Sequence, residues 1–256
     1  MMDERGGRKL QTVETAVEVV EAVQRLDDTR VSKVAEYLEL APSTAHGYLS
    51  TLTETRFLVQ EGDQYNLGLR FLTMGGHACN NIKGYNYIKQ KTKELAETTG
   101  ERAQFITEEN GIGVYVFTIT EDSAVEIGAR VGKERHLHAS AAGKAILAHL
   151  PEHRVQTIVE EWGLPEITEN TITDFDNLTM ELNEVKDDGF SRNNEESVDG
   201  LRAVGAPICG AGGEVIGALS VSAPAKRMHG ERFTDEVPMD LLGTANEIEL
   251  HIAHMD

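Results

Sequence analysis

The chain has 256 residues, 40% of them hydrophobic, and 43 acidic against 24 basic side chains give it a net charge of −19. That length allows two domains with separate cores. No apolar run approaches the length of a bilayer span, and the polar start, Met1 to Lys9, lacks the apolar stretch of a signal peptide. Cys79 and Cys209 are too few and too far apart for a disulfide framework, so a cytoplasmic protein with no membrane partner is expected.

Val13, Val17, Val20, Val23 and Leu26 recur at helical spacing with Glu14, Glu18 and Glu21 opposite, which predicts a first helix. Val31, Val34, Ala35 and Leu38 predict a second, ending near Glu39-Leu40. Pro42 suits the first turn of a third helix, where its missing N–H costs nothing. On that helix Ala45, Leu49 and Leu52 share one face with Tyr48 at its edge. Ser43, Gly47, Ser50 and Glu54 form the other face, flanked by His46 and Thr51. This is a helix-turn-helix pattern. Two short apolar runs, Phe57-Leu58-Val59 and Tyr65-Asn66-Leu67, flank Gln60–Gln64 with its Gly-Asp turn and read as a hairpin, or wing.

The fourteen residues Leu40–Thr53 carry no formal charge. In so acidic a chain, an acid-free helix face of small polar groups suits nucleic acid, because phosphate repels carboxylates while hydroxyls and imidazole can hydrogen-bond bases. Ser43, Thr44, His46 and Gly47 are therefore the candidate base-reading residues, with Pro42, Tyr48 and Ser50 beside them. Arg30, Lys33 and Arg56 are the candidate phosphate anchors. Total charge argues the other way, since residues 1–80 hold 8 basic and 12 acidic side chains.

Residues 69–99 have a helical pattern interrupted at Gly75-Gly76 and Gly84. This divides the chain into a winged-helix domain over 10–70, a linker helix over 71–84 and a second domain over 85–256. Strands are expected at Ala103–Thr107, Val114–Ile119, Val125–Val131, Arg135–His138, Leu201–Ile208 and Val215–Ser222. Helices are expected at Ala141–Leu150, Glu152–Trp162, Phe175–Asp188 and from Thr234 onward. Strands joined by tight turns, with helices grouped between them, make an α+β domain around a largely antiparallel sheet. Val13, Val17, Val20, Leu69 and Leu72 exceed what one small winged domain needs, so a homodimer seam is expected there. A homotetramer has no specific residue behind it.

Several ordered blocks resemble the IclR family of transcriptional regulators. They are Val31–Leu38 with Pro42–Leu49, then His138-Ala139-Ser140-Ala141-Ala142-Gly143-Lys144-Ala145. Gly189-Phe190 with Glu195-Glu196, Gly200–Pro207 and Ser220-Val221-Ser222-Ala223-Pro224 follow. The acid-rich, Lys-poor composition resembles that of proteins from salt-loving archaea. The resemblance implies a winged helix-turn-helix joined by a linker helix to a GAF-like effector domain. It also implies a double-stranded operator, a small-molecule effector, and a dimeric or tetrameric assembly. The family has an Arg where Gly47 stands. The resemblance places the effector between Ser140-Ala141-Ala142-Gly143 and Ser220–Ser222.

The residues support that placement. A helix start offers N–H groups to a carboxylate, and Ser220 and Ser222 put their hydroxyls on one strand face. Glu196 and Asp199 at the rim would disfavour a second negative charge. The expected effector is therefore a monoacid or hydroxy-acid, such as a sugar acid or an aromatic acid.

Other motifs dissolve on inspection. Gly143-Lys144 lacks the preceding Gly and following Ser or Thr of a phosphate loop. Pro151 breaks the helix that a zinc-binding His149–His153 pair would need. His136 and His138 share a strand face but have no third ligand, and Gly210–Gly213 is a hairpin turn with no helix after it. Glu195 and Glu196, adjacent on a strand, would face opposite ways. No catalytic, metal or cofactor residue is therefore assigned. The alternative reading is a small-molecule-binding or enzymatic domain whose winged helix serves protein contacts. It would call for an apolar or aromatic anchor where Ser43, His46, Gly47 and Ser50 stand.

Overall fold

Apolar periodicity folds the N-terminal residues into α1 (Gln11–Arg25), α2 (Val31–Tyr37) and α3 (Pro42–Glu54). The antiparallel pair β1 (Leu58–Glu61) and β2 (Gln64–Leu67) follows, then α4 (Arg70–Asn80). The computed structural model describes residues 9–120 and 130–255. It divides into two units, residues 1–80 and 81–256.

The core of the first unit joins Val19, Ala22 and Val23 of α1 to Val34, Leu49, Leu58 and Tyr65. Only the later turns of α1 enter it. Of the predicted apolar stripe, Val23 is buried and Leu26 packs on the core, while Val13 and Val17, expected to exceed what this domain needs, are 58% and 54% exposed. The wing closes through a two-residue turn, Gly62-Asp63, with Gly62 at φ +66. α4 runs unbroken through Gly75-Gly76, where the sequence suggested an interruption. Two glycines cost about 1 kcal/mol each relative to alanine but leave the hydrogen-bond ladder intact.

In the second unit a six-stranded antiparallel sheet has the order β5-β4-β3-β8-β7-β6. Its strands are β3 (Arg102–Glu109), β4 (Ile112–Ile119), β5 (Glu134–His136), β6 (Ser191–Asn194), β7 (Leu201–Cys209) and β8 (Val215–Pro224). One face packs α6 (Ala141–His149), backed by α7 (Glu152–Trp162) and α8 (Phe175–Asp188), around Ile106, Leu137, Ile146, Leu147 and Leu182. The other face, through Phe105 and Phe117, meets α5 (Tyr85–Thr99), which packs on α9 (Val237–Ala253).

Several predicted elements differ in the structure. The polar strand β6 has no apolar signature and was not expected. Of the expected strand Val125–Val131, residues 125–129 lie outside the described residues, and Arg130 and Val131 are not in a strand. The strand expected at Arg135–His138 ends at His136, and Leu137–Ala139 form a 3₁₀ turn, so His136 and His138 do not share a strand face. Glu195 and Glu196 fall in the loop after β6, with Glu195 at φ +66. Among the described residues no helix is long and apolar enough to cross a membrane.

Candidate functional site

In the first unit, Ala45 and Leu49 are fully buried and orient α3, leaving Pro42, Ser43, Thr44, His46 and Gly47 exposed. A Cβ built on Gly47 would meet nothing within 4 Å. Ser50 is half-buried. Tyr48 packs against the core, which withdraws most of its ring from the outer face. The hydroxyls of Thr51 and Thr53 donate back to the Gly47 and Leu49 carbonyls at 2.8 Å. The polar groups left open on the N-terminal half of the face are Ser43, Thr44 and His46, with Glu54 exposed at its far end.

The wing is fixed to the α1–α2 turn through Gln64. Its Oε1 accepts the Thr29 N–H at 2.7 Å and the Thr29 hydroxyl at 3.0 Å, and that hydroxyl accepts the Tyr65 N–H at 3.0 Å. The candidate phosphate anchors divide into two kinds. Arg30 Nε donates to Asp28 at 2.9 Å and Lys33 Nζ to Glu36 at 2.7 Å. The Arg30 guanidinium holds the Asp28 carboxyl well below the usual carboxylate range. Arg56 is exposed in the left-handed region at φ +63.

In the second unit, strand register gathers a polar cluster on one sheet face. Arg102 is opposite Ser222, Gln104 is opposite Ser220, and Asn193 is opposite Ala203. All five polar side chains are buried. With Ile106, Tyr115, Arg135, Ser197, Val198, Leu201 and Ala203 they line a cavity roofed by Ser140, Ala141 and Ala142. The roof lies close because β7 carries a glycine there: a Cβ on Gly205 would come within 2.5 Å of the Ala141 carbonyl carbon. Asn193 Nδ2 donates to the Ala139 carbonyl at 2.7 Å, and Ser140 caps α6 by accepting the Gly143 N–H at 3.1 Å. Ala141 and Ala142 supply first-turn N–H groups to this roof.

Arg102 Nε donates to Ser222 Oγ at 3.0 Å. Burial, and secondarily the nearby Arg135, pull the Arg102 guanidinium below its ordinary pKa. Two cations thus face a largely buried cavity. The cavity holds about 410 Å³ of empty space including its mouth, but only about 30 Å³ can take the centres of water-sized molecules. That is room for no more than a few waters.

The sequence profile of the IclR helix-turn-helix domain matches residues 12–62, and the one described as bacterial transcriptional regulator IclR C-terminal matches residues 78–250. The chain belongs to the IclR family. It is 33% identical over 249 residues to a probable HTH-type transcriptional regulator, ArcR, of Halobacterium salinarum, an alignment covering 96% of this chain and 95% of the relative. Among solved structures it is similar to the Thermotoga maritima IclR, with a TM-score of 0.81 and 27% identity over 96% of this chain and 100% of that one. An IclR homologue from Microbacterium hydrocarbonoxydans, complexed with 4-hydroxybenzoate, shares the fold with a TM-score of 0.81 and 22% identity, covering 95% of this chain and 99% of that one.

As an IclR-family regulator the chain pairs a helix-turn-helix with a C-terminal effector domain. Of the sequence-predicted pocket residues, Ser140, Ala141, Ala142, Ser220 and Ser222 line the cavity. Gly143 does not, because it is packed against Leu137, whose carbonyl oxygen would sit 2.1 Å from an added Cβ. Asp199 is exposed outside the lining, and Glu196 is turned away onto Lys144. The pair therefore does not form an acidic rim, and the argument against a second negative charge on the effector falls. Arg102, Gln104, Asn193, Tyr115 and Arg135 were missed. The alternation Arg102-x-Gln104 at the buried head of β3 is the available signal.

The IclR-family fold absorbs the remaining motifs. Gly210–Gly213 is the β7–β8 turn, and Pro151 separates α6 from α7. His138 Nε2 is 3.1 Å from the Pro165 carbonyl, and burial lowers its pKa. Among the described residues no group of three or more His, Cys, Asp or Glu is placed to hold a metal ion.

Proposed function

We propose that this regulator reads a two-fold DNA operator with Ser43, Thr44, His46 and Gly47 of α3, and that a small organic acid bound beneath α6 alters operator affinity. Buried Arg102 carries the effector half of this reading. A guanidinium on a polar sheet face, with Arg135, two serines, Gln104 and Asn193 converging on one cavity, is an arrangement for a carboxylate bearing further oxygen atoms. The Ala141 and Ala142 N–H groups at the start of α6 support the same sign of charge. The 4-hydroxybenzoate in the Microbacterium homologue is an acid of this class. Two cations in the lining accommodate a monoacid or a diacid.

On the DNA side, the exposed face of α3 is small and polar, while Arg30 and Lys33 are already paired with acids. Specificity therefore rests on hydrogen bonds and shape more than on phosphate ion pairs. Two copies are needed to span half-sites about 34 Å apart. The exposed apolar side chains of Val13, Val17, Leu69 and Leu72 supply a seam for a homodimer. The protein works in the cytoplasm, where its operator is, and has no catalytic role in this reading.

A thermal-shift panel of aromatic and sugar acids tests the effector half. At least one acid, 4-hydroxybenzoate included in the panel, raises the melting temperature of the parent and fails to raise that of Arg102→Met. An equal response in both proteins places the ligand elsewhere, and no response from the parent to any acid removes the class.

A further inference from the structure

Lys144, early in α6, is a charged group buried behind the pocket, with 1% of its side chain exposed. Its Nζ lies 2.6 Å from Glu181 Oε1 on α8 and 2.9 Å from the Glu196 carboxylate. Glu196 sits in the loop joining β6 to β7, two residues from the Asn194 N–H that the same carboxylate accepts at 3.1 Å. Its own N–H donates to Asn193 Oδ1 at 3.1 Å, and its carbonyl accepts the Thr171 hydroxyl at 2.7 Å. Directly after it, Ser197 and Val198 form one wall of the cavity. Left-handed residues bracket the loop, Glu195 at φ +66 and Gly200 at φ +73.

Packing does not call for a lysine here. An ammonium is costly to bury, and apolar side chains commonly replace a buried ion pair with no loss of stability. The charges are also unequal, one ammonium against two carboxylates. Glu181 keeps 26% of its side chain in solvent and is hydrated there, whereas Glu196 keeps 9% and depends on the ammonium. The lysine therefore matters for where it places Glu196.

We propose that Lys144 is a positioning residue of the effector pocket. It fixes Glu196, and through it the loop that sets Ser197 and Val198 against Arg102. The pocket as it stands admits only a few waters, so a ring-sized or sugar acid enters only if a wall yields. This loop is the wall held by one fully buried ion pair, Lys144–Glu196, beside a half-buried one from Glu195 to Arg202 and several hydrogen bonds. The inference rests on the reading of the cavity as the effector site, but its structural half can be tested without a ligand.

The test compares Lys144→Met, the double variant Lys144→Met/Glu196→Leu and Glu181→Gln in the full chain. Hydrogen exchange is followed over residues 194–201, and binding of 4-hydroxybenzoate and gluconate is followed by calorimetry. Lys144→Met speeds loop exchange at least tenfold and weakens whichever probe binds at least tenfold. The double variant regains the melting temperature, because no charge is left buried unpaired, yet it keeps the fast loop and the weak binding. Glu181→Gln removes the charge from the shorter of the two contacts to the same ammonium but leaves loop exchange and affinity within twofold. Recovery of loop protection together with stability in the double variant would make Lys144 merely structural and overturn the proposal. So would a Glu181→Gln protein whose loop is as loose as that of Lys144→Met. If neither probe binds the parent, the panel of acids decides the effector reading while the exchange comparison decides the role of Lys144.

Discussion

Gly47 separates stability from function at a single position. It lies inside α3, it is exposed, and an added Cβ meets nothing within 4 Å. Glycine inside a helix costs about 1 kcal/mol relative to alanine. Gly47→Ala should therefore stabilise the N-terminal unit by that amount, about 4–8 °C in melting temperature for a unit of this size. Aspartate has a helix propensity only slightly better than glycine, so Gly47→Asp should leave stability within about 0.5 kcal/mol of the parent. Its carboxylate would stand on the face proposed to meet DNA. At about 6 Å from a phosphate, the repulsion is about 0.7 kcal/mol in bulk water and about 2.8 kcal/mol at the effective dielectric of a protein surface. The upper figure is about a hundredfold in affinity. Calorimetry of the full chain and fluorescence anisotropy on a selected operator measure the two effects. A Gly47→Asp protein that melts with the parent and binds DNA within threefold of it would show that this face does not meet DNA. A destabilised Gly47→Ala would show that the position is not open.

Three further outcomes follow from the same geometry. Because Glu36 occupies Lys33, the operator affinity of the parent should fall only shallowly with salt, and Glu36→Gln should steepen the slope of log K against log salt by about 0.9, one phosphate's worth, in anisotropy titrations; an unchanged slope would remove Lys33 from the interface. Leu72, 70% exposed on α4, belongs to the proposed seam, so Val13→Asp/Leu72→Asp should convert a dimer to monomer in light scattering at micromolar concentration with helix content unchanged; a monomeric parent, or a double variant that stays dimeric, would refute the seam. Burial, and then Glu249, push the Cys209 thiol up to about 11. In a Cys79→Ser background its alkylation at pH 8 should be about a hundredfold slower than that of an ordinary thiol and should rise about tenfold per pH unit from pH 8 to 10, since only the thiolate reacts; a rate that levels off by pH 9 would contradict the assigned environment.

The sequence made the first unit legible because its elements announce themselves locally. Pro42 at the start of α3, the period-3.6 burial of Ala45 and Leu49, and Gly62 in the wing turn are all short-range signals. The apolar stripe of α1 divides, Val23 and Leu26 joining the core while Val13 and Val17 stay exposed, and periodicity alone does not say where along the helix the core begins. In the second unit, α7 and α8 were bounded correctly from apolar spacing and flanking turn residues. β6 was invisible because Ser191, Asn193 and their neighbours are polar, and they are strand only through pairing with β7. The pocket was half legible. Ser220-Val221-Ser222 shows its alternation in sequence, but Arg102 and Asn193 join it through register across β3, β8, β7 and β6, which no local pattern carries. Glu196 was placed at the rim because nothing in the sequence pairs it with Lys144, fifty-two residues earlier.

The account depends first on sequence-specific reading of DNA by α3, and selection from a random duplex library with the full chain tests it most directly. Sequencing of the bound pool should return one two-fold motif with half-site centres about one helical turn apart, and the same selection with Gly47→Asp should return none. A parent pool with no enriched motif, or a motif that the Gly47→Asp protein recovers equally well, would contradict it.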